Sequence, residues 1–200
     1  VIADGLGHRF GRSPWLFRGL AFQLDPGRVY ALTGPSGSGK STLLALLAGW
    51  TAPSEGTLER RDVERVGWVF QNPHGSPRRA AIDHVRLPFL ARGIPPGEAV
   101  QRAAELIRRF GLESVAASDF RQLSGGEAQR LMLARGVAAS PDLLLVDEPT
   151  AQLDPATAEN VNDAISSLAA GHSIVVVATH DPRTRDACSD HIDLGRGLGR

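Results

Sequence analysis

Nine consecutive residues, Gly34, Pro35, Ser36, Gly37, Ser38, Gly39, Lys40, Ser41 and Thr42, carry the densest chemistry in the chain. They follow the short apolar run Val29 to Leu32 and precede TLLALLAG, so the order is buried strand, glycine-rich turn, helix. The three glycines let the backbone turn its amides inward without a side-chain clash. A helix starting at Lys40 adds unpaired N–H donors that suit an anion. Lys40 is the only lysine among 22 basic residues. Its ammonium can reach the β- and γ-phosphates of a nucleotide as a point charge, and the Ser41 hydroxyl can serve Mg²⁺. The pattern G-x-x-x-x-G-K-[ST] between strand and helix is the context a phosphate loop requires. A glycine-rich surface turn with a solvated lysine is the competing reading. It leaves unexplained why an arginine-rich chain keeps its one lysine here.

Asp147 and Glu148 end the apolar run LLLV. The end of a strand in an α/β sheet is where ligands sit. Asp147 can hold Mg²⁺ through water, and Glu148 can orient and deprotonate an attacking water. Two carboxylates beside phosphates repel unless a metal is present, so the ion belongs to the reading. Alternatively the two acids stabilise the next helical turn. His180 closes VVVATH and can donate to a γ-phosphate or hold Glu148 in place. A histidine at a strand end is also commonly structural. Gln71 ends VGWVFQ, read as a third strand, where its amide can touch Mg²⁺ or the water.

The surrounding pattern must position these groups. The segments GTLERR and RVGWVF are short strand candidates, and NPHGSPRR is a loop. GEAVQRAAELIRRF reads as a helix, with Val100, Ala103, Ala104, Ile107 and Phe110 on one face. No β-branched run recurs before Asp142, so residues 72 to 136 read as a helical insertion. LLLV and SIVVVA are apolar throughout, as expected of parallel strands covered on both faces. Asp154 can cap the next helix with Pro155 at its first position. Val161, Ala164, Ile165 and Leu168 form that helix's buried stripe, and Gly171 ends it. Strands alternating with helices predict an α/β fold with a parallel sheet.

The bulk composition excludes little. Two hundred residues, 42% of them hydrophobic, suit one domain, residues 1 to 200, with the helical segment inserted in it. The 22 acidic groups cancel the 22 basic ones, so charge alone argues for no nucleic-acid or anionic-membrane surface. Cys188 is the only cysteine, which rules out an internal disulfide and suits a reducing compartment. No apolar run approaches a membrane span. The start at Val1, without methionine, suggests a trimmed beginning.

The phosphate loop, Gln71, LSGGEAQR at 123 to 130, LLLVDEP, AQLD and His180 come in one order. In that order the chain resembles the nucleotide-binding domain of ATP-binding cassette (ABC) transporters over nearly its whole length. Its texture is most similar to ATPases of macrolide and lipoprotein export systems. The resemblance implies a P-loop NTPase core, a small antiparallel β subdomain reduced by the short Pro53 to Val69 segment, and an inserted helical subdomain. It implies ATP and Mg²⁺ as cofactors and hydrolysis as the reaction. Ser124, Gly125 and Gly126 look like the turn that contacts the γ-phosphate of ATP held by a second, opposing ATPase subunit. A helix from about Glu127 would aim its N-terminus at that anion. Asp154 looks like the aspartate that meets the opposite subunit. Phe10, in HRFG, looks like the aromatic that stacks on adenine, with core packing as its alternative.

Two residues depart from the commonest pattern: Glu127, where glutamine is usual, and Gln152, where a small residue is usual. The family's other partners are integral membrane permease subunits. The implied location is the cytoplasmic face of the cell membrane, with no direct nucleic-acid contact. Residues 72 to 85 would line the groove that receives a helix of the permease. The alternatives are a soluble ATPase of the same family acting on ribosomes or DNA, and an ATP-gated binding module without efficient turnover. The first usually has two cassettes, long inserts or metal-binding cysteines. The second would be favoured by loss of Glu148, which is present.

Overall fold

The structure is a computed structural model that describes residues 1–151, 153–170 and 172–197. In chain order the elements are β1 (Ile2–His8), β2 (Phe17–Gln23), β3 (Val29–Thr33), α1 (Lys40–Ala48), β4 (Glu55–Glu59) and β5 (Val66–Val69). They continue with α2 (Ala81–Ala91), α3 (Pro96–Arg109), α4 (Gly125–Ala138), β6 (Leu143–Asp147), α5 (Pro155–Ser166), β7 (Ile174–Ala178), α6 (Pro182–Asp186) and β8 (Asp190–Asp193). Five strands form a sheet in the order β5-β6-β7-β3-β8, with every pair parallel. A second, antiparallel sheet has the order β2-β1-β4. This is the P-loop NTPase architecture expected, with its small antiparallel sheet and helices inserted between β5 and β6.

The central strands divide the core by alternation. Leu144, Val146, Val175 and Val177 face one apolar layer with Val85, Phe89, Leu131, Leu133 and Val161. Leu143, Leu145, Ile174 and Val176 face the other, with Leu6, Phe17, Leu43 and Leu47. Successive side chains of a strand point to opposite faces, so strands covered on both sides must be apolar throughout. Each such side chain contributes about 1.5–3 kcal/mol when fully buried.

Three sequence-based expectations need correction. Val100 is 42% exposed; the buried stripe of α3 is Ala99, Ala103, Leu106 and Ile107, with Phe110 capping the end. The helix starts at Pro96, and Ala99, Ala103 and Ile107 keep the i, i+4 spacing that aligns a face. Gln71 is not on a strand: β5 stops at Val69, and Gln71 is an exposed residue in the bend beyond it. α4 starts at Gly125, with Ser124 as its cap, rather than near Glu127. Gly171 and Gln152 lie outside the described residues.

The caps behave as their chemistry demands. Asp154 accepts from the N–H groups of Ala156 and Thr157, both at 3.1 Å, with Pro155 at the first position of α5. The α4–α5 contact is tighter than the sequence discloses. A Cβ on Gly126 would lie 2.0 Å from Thr157 Cγ2, so only glycine permits this approach. Gly126→Ala is therefore expected to destabilise the fold by about 1–3 kcal/mol, the usual cost of overpacking. Adding Thr157→Ala, which removes the opposing methyl, should recover most of that loss in urea denaturation. Equal destabilisation with and without Thr157→Ala would contradict the contact.

Candidate functional site

The loop between β3 and α1 places its donors at the C-terminal edge of the parallel sheet. Gly39 caps α1 with φ 93°, a left-handed conformation. A Cβ there would come within 3.0–3.1 Å of the Phe17 ring and Leu16, so glycine is required by backbone and by space. No acidic residue occupies the first turn of α1, which leaves the positive end of the helix dipole uncompensated by its own side chains. Pro35, Ser36 and Gly37 are exposed, whereas Ser38 and Lys40 are buried. Among the described residues Ser38 Oγ has no hydrogen-bond partner. Lys40 Nζ donates to the carbonyls of Gly34 at 3.1 Å and Pro35 at 3.4 Å. The ammonium is thus folded back over the loop.

Glu148 meets that ammonium. Its Oε1 lies 3.5 Å from Lys40 Nζ, and its Oε2 lies 2.8 Å from His180 Nδ1. The His180 N–H also donates to Oε2, at 3.3 Å. Glu148 has φ 43°, rare for a residue with a side chain, and its N–H donates to Ala178 O at 2.9 Å. Such a backbone costs of order 1–3 kcal/mol and persists only where its surroundings impose it. Asp147 sits one residue earlier, and Ser41 Oγ donates to its Oδ1 at 3.3 Å. Burial pushes the Asp147 carboxyl above the usual carboxylate range. Glu148 adds to that push, while the Ser41 hydrogen bond and Lys40 oppose it. A divalent cation between Ser41 and Asp147 would relieve the cost of that buried charge. Among the described residues no cluster of three or more His, Cys, Asp or Glu forms a cage for a metal. Two protein oxygens suit Mg²⁺, which keeps several waters and takes its other ligands from phosphates.

The remaining candidates stand apart. No hydrogen bond or ion pair among the described residues joins Phe10, Ser124 or Asp154 to the Lys40–Glu148 group. Phe10 is 60% exposed and meets His8 edge-on at 5.0 Å. It is not a core residue, which removes one of its two readings. Ser124 and Gly125 are exposed at the start of α4, whereas Gly126 is buried against α5. Thr42, in the first turn of α1, is half-buried.

The structure adds supports that sequence reasoning missed. The Thr184 hydroxyl donates to Asn162 Oδ1 at 2.8 Å and meets the Thr150 hydroxyl at 2.9 Å. This buried chain ties the turn after Glu148 to α5 and α6. Gln129, 1% exposed, donates to Phe70 O at 3.5 Å, linking α4 to the residue before Gln71. Nothing in the sequence names the partners of these buried polar residues.

A family model described as ABC transporter matches residues 17–151. The chain belongs to the ABC transporter family. The ABC ATPase is 37% identical to the lipoprotein-releasing system ATP-binding protein LolD of Paramagnetospirillum magneticum, over 92% of this chain and 88% of that one. It is 34% identical to the L-cystine transport system ATP-binding protein TcyN of Escherichia coli, over 91% and 81%. Among solved structures it is similar to a putative metal-chelate type ABC transporter in an inward-facing conformation. That match has TM-score 0.80 and 30% identity, over 96% of this chain and 78% of that one. It is also similar to the dimeric, post-hydrolysis state of the ATP-binding cassette MJ0796 bound to ADP and Pi. Here the TM-score is 0.77 with 28% identity, over 98% and 94%. The ABC ATPase thus binds ATP and hydrolyses it as part of a transport system.

Lys40→Ala in this ATPase should weaken ATP binding and lower turnover by roughly a hundredfold or more, the scale seen when one aimed donor is removed. Nucleotide titration and phosphate release on the purified variant measure both effects. Wild-type affinity together with wild-type turnover would sink the assignment of this loop.

Proposed function

We propose that this chain powers an export-type transporter from the cytoplasmic face of the membrane, as a dimer whose two ATP sites are each shared between protomers. The likeness to the lipoprotein-releasing relatives supports the export reading. The observation that carries the hydrolytic part of the proposal is Glu148, held between Lys40 and His180 at the mouth of the phosphate loop; the likeness to the dimeric MJ0796 cassette supports the dimer.

The residues take these roles. Gly34, Pro35, Ser36, Gly37, Ser38, Gly39, Lys40, Ser41 and Thr42 cradle the phosphates, with Lys40 on the β- and γ-phosphates. Ser41, Asp147 and Gln71 serve Mg²⁺, whose bound charge would stabilise the transferring phosphoryl group. Glu148 accepts the proton of the attacking water, and His180 fixes its orientation. Phe10 stacks on adenine. Ser124, Gly125 and Gly126 close on the γ-phosphate held by the partner, with Asp154 beside that interface. Gly126 acts there through its packing on Thr157. Catalysis by such a site is mainly positioning and charge stabilisation.

Residues 72 to 136 act as the helical subdomain that reports to the permease, and 72 to 85 line its docking groove. Arg78 and Arg79 are exposed there. Trp50, Trp68 and Phe70 form a row of ring contacts that ends on His74 of that segment, with Trp50 and Trp68 stacked at 4.4 Å.

Glu148→Gln keeps the shape and a hydrogen-bonding group but cannot take up the water's proton. With ATP and Mg²⁺ it should accumulate as a dimer in light scattering after size exclusion. Adding Ser124→Arg puts bulk and charge at the closing turn, so it should abolish that dimer while leaving monomer ATP binding intact. A double variant that dimerises as well as Glu148→Gln alone would refute the shared site.

A further inference from the structure

The turn that begins α4 holds an acid where a phosphate is expected to come. Ser124 donates to one carboxylate oxygen of Glu127 twice, from its N–H at 2.8 Å and from its hydroxyl at 2.7 Å. Glu127 N–H donates back to Ser124 Oγ at 3.3 Å. The hydroxyl proton that would face an incoming phosphate is therefore already committed. Those two bonds from Ser124 hold the Glu127 carboxyl below its usual range, with Arg130 assisting, so the group carries a full charge. Ser124 is exposed and Glu127 is half-buried, so the charge lies close to the surface of the turn.

Arg130 lies three residues along α4, a spacing that brings two side chains together on a helix. Its Nε is buried and has no hydrogen-bond partner among the described residues. The carboxylate thus has one partner in hand and an unsatisfied donor within one turn.

We propose that Glu127 is a charge latch on the shared phosphate site: it holds the Ser124 hydroxyl while the site is open, and passes to Arg130 when the partner's γ-phosphate arrives. This deepens the reading of Ser124 as a cross-protomer contact and rests on it. Two like charges cannot share the turn without cost, so closure requires Glu127 to give up Ser124 and find a counter-charge. Glu127 is then a positioning residue acting through Ser124, and it sets how readily the dimer closes. A simple helix cap has no such consequence. Glutamine at this position can accept the same two hydrogen bonds through its amide oxygen, without the charge.

The test uses the full chain carrying Glu148→Gln, with ATP and Mg²⁺, and reads the dimer dissociation constant by light scattering across protein concentration and salt. Adding Glu127→Gln should tighten the dimer by roughly tenfold at low salt, and the gap should narrow as salt screens the charge. Adding Arg130→Gln should weaken the dimer several-fold where Glu127 is present, and should change nothing in the Glu127→Gln background. Such non-additivity marks a direct coupling between the two residues. Monomer ATP titration checks that each variant retains its nucleotide site. The latch is overturned if Glu127→Gln leaves the dimer unchanged or weaker while Ser124→Arg still abolishes it. It is overturned also if Arg130→Gln weakens both backgrounds by the same factor, which is the signature of a merely structural arginine. Dimerisation that survives Ser124→Arg would overturn the shared site itself and the latch with it.

Discussion

Everything at this site depends on how one ammonium is shared. Lys40 and Glu148 face each other at 3.5 Å, with side chains only 9% and 14% exposed. Removing two charges from water is costly, and their mutual attraction repays it only with good geometry and further hydrogen bonds. Lys40 has two carbonyls besides Glu148, and Glu148 has His180. The pair is therefore supported by further partners rather than isolated. In the proposed site a terminal phosphate would compete with Glu148 for Lys40, and the carboxylate would keep His180 while accepting from a water.

The fold makes this possible by bringing together three segments that are distant in sequence. The phosphate loop follows β3, the two acids end β6, and His180 follows β7. In the sheet β6, β7 and β3 are immediate neighbours and parallel, so their C-terminal ends meet at one edge. The left-handed backbone at Glu148 turns the chain sharply as β6 ends, and its N–H is anchored to Ala178 at the end of β7. Farther off, Gly126 against Thr157 locks the α4 turn to the helix that Asp154 caps. The two elements proposed to face the partner are thus packed directly against each other.

Much of this was legible beforehand because the informative residues are local. A strand, glycine turn and helix around Lys40 can be read from a few adjacent positions, and so can the cap at Asp154 with Pro155. Wholly apolar runs marked β6 and β7 because strands covered on both faces have no choice. What stayed hidden depended on distant partners. α2 has no clear signal in the sequence: it carries Pro88 within its last turn, and it is held by burying Val85 and Phe89 in the core. Along α3, Ala99 and Val100 lie on adjacent stripes, and only packing against α2 and α4 selects Ala99 for the buried face. Gln71 lost its strand because β5 pairs only as far as Val69 with Val146. The positive φ of Glu148, the close approach at Gly126 and the Ser124–Glu127 bonds are properties of geometry that no residue type declares.

The central claim is that a working site takes Lys40 from one chain and Ser124 from the other. Mixing two inactive variants tests it most directly. A dimer of one Lys40→Ala chain with one Ser124→Arg chain places both defects in the same site and leaves the other site wholly wild-type. Phosphate release should therefore reappear when the two are combined, although each alone is inactive, and it should rise with the fraction of mixed dimers. If the mixture stays as inactive as its parts while mixed dimers form, each site belongs to a single chain and the account is wrong.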